Sequence, residues 1–173
     1  MVPSRKSGSP TIEGCPAEIP EDSTPVRVRI ALGVLHDPGN ANRLLETIRP
    51  SLDGWRNLAV IASQPHFVKY SACFEPAANA AYGPPPVLIY QRDGGLEPKW
   101  WNLDDAESAR FQNRLKTFET WMAPTLISRL QSHLEQSGLI VAIALDSIRQ
   151  EQDVCRMLLQ CGVDYLYVQD VPE

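Results

Sequence analysis

The chain has 173 residues, of which 43% are hydrophobic and 21% charged, and its formal net charge is −5. This length and composition are typical of one globular domain that folds without disulfides or a metal. The acidic balance disfavours a nucleic-acid binder, which needs clustered Lys and Arg. Because no apolar run reaches the roughly 18 residues of a membrane span, we expect a cytoplasmic protein with no membrane partner.

The N-terminal segment differs in composition from the rest of the chain. Residues 1–25 are rich in Pro, Ser, Gly and Glu and carry almost no large apolar side chains. Such a segment buries too little surface to offset its conformational entropy. We therefore predict a disordered tail at 1–25 and a single domain at 26–173.

The front of the domain predicts a strand, a helix and a second strand. Val26–Leu35 alternates at first and then becomes continuously apolar, as in a strand that ends buried. Asp37 is placed to cap the following helix, with Pro38 at the first helical position. Leu58–Ala62 is the second apolar strand of this unit.

The middle of the chain has no clear periodicity, and we predict an irregular insert at about 64–103. Three consecutive prolines impose an extended entry to the short apolar segment Val87–Tyr90, which we interpret as a strand. Trp100 and Trp101 are adjacent, so in an extended segment their side chains face opposite ways.

The last third of the chain has the clearest element boundaries. Two amphipathic helices lead to Gly138, which is well placed to end the second of them. Leu139–Leu145 is the most apolar stretch and predicts a central strand buried on both faces. A capping box begins the next helix at Ser147, and the final strand carries Tyr165 and Tyr167 on one face.

The strand–helix–strand order therefore occurs twice, at 26–62 and at 139–171. Right-handed connections in both units would place their strands side by side in one sheet. We predict an α+β domain: a ferredoxin-like sandwich with a mainly antiparallel sheet of four to five strands and helices on one face. A doubly wound α/β sheet is the alternative, because the apolar strands also suit parallel burial.

Two segments of the chain resemble a widespread bacterial family of heat-induced or general stress proteins of unknown function. They are Ile30–Val34 with Asn40–Leu52, and Leu139–Asp146 with Tyr167–Val171. The resemblance covers about half of the chain and implies the same strand–helix order at both ends. A proline-rich, Trp-bearing insert stands here in place of that family's Gly/Ala-rich hairpin. The family supplies no catalytic residues to carry over.

The candidate ligand-binding residues fall into two groups. They are His36, Asp37, Gly39 and Asn40 in the first turn, and Tyr90, Trp100 and Trp101 in or near the insert. The turn precedes a helix N-terminus, whose free N–H groups suit an anion. Exposed Trp side chains are enriched in ligand pockets and interfaces.

The sequence carries no recognisable catalytic or metal-binding motif. Its three histidines are far apart, and its four cysteines form no Cys-x-x-Cys pair. Phosphate-binding glycine loops and the Gly-x-Ser-x-Gly elbow are absent from the sequence. We therefore predict no catalytic residue, no metal and no cofactor, and leave open whether the protein is an enzyme.

Two functions are compatible with these observations. We favour a non-enzymatic regulatory or protein-interaction module that forms a homodimer, linked to stress as the resemblance implies. Its interface would be the terminal strand with Tyr165 and Tyr167, since an edge strand can extend a sheet across a dimer. The alternative is a small-molecule-binding protein or enzyme whose site lies where the 36–40 turn meets Trp100 and Trp101.

Overall fold

The described part of the chain forms six strands and six helices. A computed structural model describes residues 28–51, 57–74, 85–92, 95–100 and 106–171, so the predicted tail 1–25 and Trp101 lie outside it. The strands are β1 (Arg29–Leu35), β2 (Leu58–Ser63), β3 (Val87–Gln91), β4 (Gly95–Trp100), β5 (Leu139–Leu145) and β6 (Tyr165–Asp170). The helices are α1 (Pro38–Ser51), α2 (Phe67–Phe74), α3 (Ala106–Lys116), α4 (Phe118–Trp121), α5 (Pro124–Glu135) and α6 (Ile148–Gln160).

All six strands belong to one mixed sheet in the order β4-β3-β2-β5-β1-β6. Of the five neighbouring pairs, four are antiparallel and the β2–β3 pair is parallel. The predicted α+β class is confirmed. The sheet has six strands rather than four to five, because the segment between the two strand–helix–strand units adds β3 and β4 to one side.

The two predicted units interleave at the centre of the sheet. One is β1-α1-β2 and the other is β5-α6-β6, and their strands lie in the order β2-β5-β1-β6. Every neighbouring pair in this group of four is antiparallel. This arrangement places the end of β1 beside the beginnings of β5 and β6, and so positions the site described below.

Helices cover both faces of the sheet. α1, α2 and α6 pack on one face against side chains such as Ala31 and Val141. α3, α4 and α5 pack on the other face against side chains such as Leu32 and Ile140. The prediction that helices lie on one face is therefore wrong, because the segment between the two units supplies three helices that bury the second apolar face of the central strands.

This double cover explains the continuous apolar runs of the central strands. β2 and β5 are buried at every position, although an antiparallel sheet with one solvated face would alternate. Burial on both faces was predicted for Leu139–Leu145 and is confirmed. An apolar run thus reports that both faces are covered, but not whether the neighbouring strands are parallel.

The range 64–103, predicted as an irregular insert, contributes α2, β3 and β4. The strand expected at Val87–Tyr90 is confirmed as β3. It pairs parallel to β2 with Val60 beside Val87, and β4 returns antiparallel to it. The apolar side chains of β3 contribute to both faces of the core. This burial explains why a strand forms in a segment that is too short to show a periodicity of its own.

Candidate functional site

The turn between β1 and α1 uses its candidate polar side chains within the protein. Asp37 Oδ1 accepts the Gly39 N–H at 2.9 Å, so the helix begins with its own carboxylate at the N-terminus. Asn40 Nδ2 donates to the carbonyl of Gly162 at 3.2 Å and ties α1 to the end of α6. Three of the four predicted turn residues are therefore engaged in contacts within the fold.

His36, the fourth, is fastened to the residue that precedes β6. Its backbone N–H donates to Asp164 Oδ2 at 2.8 Å, and its Nδ1 lies 2.9 Å from the same oxygen. A carboxylate acceptor identifies Nδ1 as the protonated nitrogen. Nε2 is buried without a hydrogen-bond partner among the described residues. A Cβ at Gly138 would lie 3.2 Å from Nε2, so the Gly138 backbone closes this side of the ring.

Aromatic rings surround His36 and form what we call the histidine cluster: His36, His133, Asp164, Tyr165 and Tyr167. The His133 ring centroid lies 5.5 Å from that of His36 and 4.4 Å from that of Tyr165. His133 Nε2 lies 3.3 Å from the Tyr167 hydroxyl. The cluster therefore joins α5 to the first half of β6.

Electrostatics favour an uncharged His133 in this cluster. Burial lowers the pKa of His133 from its ordinary 6.5, the nearby His36 lowers it further, and Asp164 acts in the opposite direction. A neutral imidazole packs against tyrosine rings without the cost of desolvating a charge. The cluster is therefore a largely aromatic surface with the Asp164 carboxylate at its rim.

A second set of contacts holds the end of β1 from the other side. Lys69 Nζ donates to the His36 carbonyl at 2.6 Å and lies 3.3 Å from Ser137 Oγ. The hydroxyl of Tyr70 donates to the Ser137 carbonyl at 2.6 Å, with the Leu35 carbonyl at 3.2 Å. Burial raises the pKa of Tyr70 to about 12, so its hydroxyl stays protonated as this donor.

Of the second group of candidate ligand-binding residues, Tyr90 and Trp100 do not lie at this turn, and Trp101 lies outside the described residues. Tyr90 is buried in the core on the α3–α5 face. Trp100 is the last residue of β4, which three strands separate from β1. Four strand spacings place the two backbones about 19 Å apart across the sheet. The described residues therefore do not form the predicted site between the turn and Trp100.

The two predicted interface residues lie in the cluster and on the edge of the sheet. Tyr165 and Tyr167 face the side covered by α3–α5, and 49% of Tyr165 is exposed. β6 pairs with β1 along one side and has no partner strand among the described residues along the other. Tyr167 is partly buried and Tyr165 is exposed, so these two tyrosines connect the histidine cluster to the edge of the sheet.

Sequence reasoning missed Asp164, His133, Lys69 and Ser137. His36 and Asp164 are separated by 128 residues, so no local spacing connects them. The available signal for Asp164 was topological: antiparallel pairing of the first and last strands sets the end of one beside the start of the other. His133 and Lys69 lie on helices whose packing faces depend on the insert, and no signal in the sequence places them here.

Two cavities formed by described residues lie away from the histidine cluster. An apolar cavity of about 20 Å³ lies under α3–α5, and its lining includes Leu32, Leu115, Phe118 and Leu130. An open groove of about 520 Å³ between α1 and α6 is lined by residues such as Thr47, Ser147 and Asp153. Neither of these two cavities is lined by a member of the histidine cluster.

The contacts of the cluster hold the end of β1 against α5 and the start of β6. A general base in nucleophilic catalysis needs its free imidazole nitrogen hydrogen-bonded to the nucleophile. His36 Nε2 has no such partner among the described residues and is closed off by Gly138. Within the same residues, no three His, Cys, Asp or Glu side chains converge to hold a metal ion.

No helix in the described ranges is long and apolar enough to cross a membrane.

Comparisons with known proteins add no assignment. No family model, no curated protein and no solved structure matches this chain.

Proposed function

We propose that this protein is an interaction module that forms a homodimer by pairing β6 with β6 of a second copy. The observation that carries the proposal is the difference between the two edges of the sheet. β4 carries Glu97, Pro98 and Lys99, all exposed. Charged residues and proline are the usual means by which an edge strand avoids pairing with another chain.

β6 carries none of these protections along its first five residues. Its sequence is Tyr-Leu-Tyr-Val-Gln before the terminal Asp170. The four residues after Tyr165 are half-buried along a strand whose outer side is unpaired in the described sheet. An apolar edge of this length is a template for strand addition, and main-chain hydrogen bonds would supply the affinity.

Exposed apolar side chains flank this edge on both faces of the sheet. Leu159 of α6 is 60% exposed, and Tyr165 is 49% exposed on the other face. Helical geometry places Leu159 on the flank of α6 opposite Asp153 and Met157, which line the groove toward α1. That flank faces the β6 side of the sheet. Strand pairing would therefore be continued by apolar contacts above and below it.

The ladder between β1 and β6 identifies the backbone groups that are free to pair. The Val171 N–H donates to the Val28 carbonyl, and Arg29 lies opposite Asp170. Hydrogen-bonded and non-hydrogen-bonded positions alternate along an antiparallel pair. Leu166 and Val168 therefore direct their N–H and C=O groups away from β1, toward the side of β6 that has no partner strand among the described residues.

The test is the assembly state of the Val168→Pro variant. Proline removes an outward N–H without removing a bond to β1, and by symmetry the dimer loses two hydrogen bonds. At about 1 kcal/mol each, we expect a dimer Kd at least about tenfold weaker in sedimentation equilibrium. Val168→Thr is the matched control, because it keeps the N–H and the β-branched shape, and it should dimerise as the wild type does.

Two outcomes would contradict the proposal. One is a monomeric wild type at concentrations of several hundred micromolar. The other is a Val168→Pro variant that is folded by circular dichroism and dimerises with unchanged affinity. Either would remove β6 as an assembly surface.

We also propose a ferredoxin-like core, a role in stress and a cytoplasmic location. The β-α-β-β-α-β order of the two units, with α1 and α6 on the same face, supports a ferredoxin-like core. A role in stress rests on the sequence resemblance alone, and the cytoplasmic location remains a prediction. A ligand site at the 36–40 turn has less support, since Asp37 and Asn40 are engaged within the fold.

A further inference from the structure

We infer that the two copies pair antiparallel with Tyr167 opposite Tyr167 of the second copy, so that the two-fold axis passes between these residues. This inference rests on the proposed function and adds the register of the interface. It follows from three properties of β6: which backbone groups point outward, which side chains would meet, and where its carboxylates are directed.

The outward backbone groups restrict the possible registers. Leu166 and Val168 direct N–H and C=O groups toward the unpaired side, as argued above, so they must occupy hydrogen-bonded positions of the new pair. Two registers then pair five residues of β6 on each strand. One is centred on Tyr167 and sets Leu166 opposite Val168; the other is centred on Val168 and sets Leu166 opposite Asp170.

Side-chain complementarity favours the register centred on Tyr167. It pairs Leu166 with Val168 twice on the α6 side of the sheet, and the two Tyr167 rings on the other side. Aromatic and apolar cross-strand pairs contribute roughly 0.2–1 kcal/mol each. The register centred on Val168 would instead place an apolar Leu166 against a carboxylate twice.

The register centred on Tyr167 sets Asp164 of one copy opposite Asp170 of the other, where two carboxylates could repel each other. Hydrogen bonds within each copy offset this repulsion. Asp170 Oδ1 already accepts from Arg29 Nε at 2.8 Å. Asp164 Oδ2 accepts the backbone N–H of His36 and lies 2.9 Å from His36 Nδ1. Both carboxylates are thus directed toward β1, away from the unpaired side, and each faces a donor within its own copy.

Disulfide trapping distinguishes the registers while keeping Tyr167. We would prepare Leu166→Cys and Val168→Cys chains, each with Cys15 and Cys155 replaced by serine, and oxidise them alone and mixed. Opposed positions lie about 5.5 Å apart between Cα atoms, within disulfide reach, whereas two residues of offset give about 8 Å. We expect at least about tenfold more cross-linked heterodimer in the mixture than homodimer in either chain alone.

Each other outcome has a distinct meaning. Preferential cross-linking of Val168→Cys with itself would overturn the register but leave the β6 dimer in place. A dimer that cross-links in no combination would place the interface away from β6 and overturn both proposals, as would a monomeric chain. Hydrogen exchange of the wild type gives an independent reading: the Leu166 and Val168 amides should become protected as the protein concentration rises, and constant exchange would contradict the pairing.

Discussion

Asp164 shows how much of the site depends on one acidic side chain. Its Oδ2 accepts the His36 N–H and lies against His36 Nδ1, so the carboxylate fixes both the backbone at the end of β1 and the orientation of the ring. The same residue's N–H donates to the Val34 carbonyl at 2.7 Å. Asp164 therefore aligns the start of β6 with β1 and directs the opposite side of β6 outward.

His133 gives a prediction about pH at the residue scale. Burial and the nearby His36 lower its pKa in the folded protein, whereas in the unfolded chain the value is near 6.5. As the pH falls through about 6.5, the unfolded chain takes up this proton before the folded protein does, so folding stability decreases. Above that pH the effect is absent because His133 is neutral in both states.

The measurement is the free energy of unfolding in urea between pH 7.5 and pH 5.5. We expect the His133→Phe variant to lose less stability than the wild type over this range, because phenylalanine keeps the ring against Tyr165 and has no proton to take up. Equal losses in the two proteins would show that His133 does not contribute to the pH dependence.

At the scale of elements, the start of α6 confirms a local sequence pattern with one difference. Ser147 Oγ accepts the Gln150 N–H at 3.2 Å, as the capping box predicts. Gln150 Oε1 accepts from the Asp146 N–H rather than from the N–H of Ser147. This hydrogen bond to the residue before the cap joins α6 to the end of β5.

We expect Ser147→Ala to lower the free energy of unfolding by about 1 kcal/mol, the usual cost of losing an N-cap side chain. Ser128→Ala is a suitable control, because Ser128 Oγ donates to the Pro124 carbonyl within an exposed part of α5 and caps no helix. The control should be close to the wild type in urea denaturation. A similar loss in both variants would argue against a specific capping contribution.

Elements of the insert show where local pattern is insufficient. α2 spans eight residues and β4 six, and β4 contains a proline in its interior. Short elements with mixed composition carry weak periodicity, so the sequence did not predict them. They form because the side of β2 away from β5 offers backbone groups for strand pairing, and because the faces of the sheet bury apolar side chains. Both are tertiary effects.

At the scale of the whole molecule, the dimer proposal predicts a concentration-dependent melting temperature. A ligand or subunit that binds the folded state stabilises it by an amount that rises with the logarithm of its free concentration above Kd, and a second copy is such a ligand. The Tm of the wild type should therefore rise as the protein concentration increases, whereas that of Val168→Pro should begin to rise only at a concentration at least about tenfold higher. Differential scanning calorimetry over a hundredfold concentration range would measure this. A wild-type Tm that does not change would contradict the dimer.

The sequence by itself determined the elements that carry strong periodicity or clear boundaries. The central strand at Leu139–Leu145, the Asp37 start of α1, the Ser147 cap and the strand at Val87–Tyr90 all follow from local patterns. Local patterns suffice there because capping, helix periodicity and apolar runs involve residues near one another in the chain.

Only the tertiary structure decided which faces are covered and which residues meet. The segment between the two strand–helix–strand units covers the second face of the sheet, so helices lie on both faces and not on one as predicted. The approach of His36 to Asp164 and His133 joins residues separated by about a hundred positions or more, and it is set by strand order. Strand order depends on the burial and pairing of the whole chain, and no short window of sequence contains it.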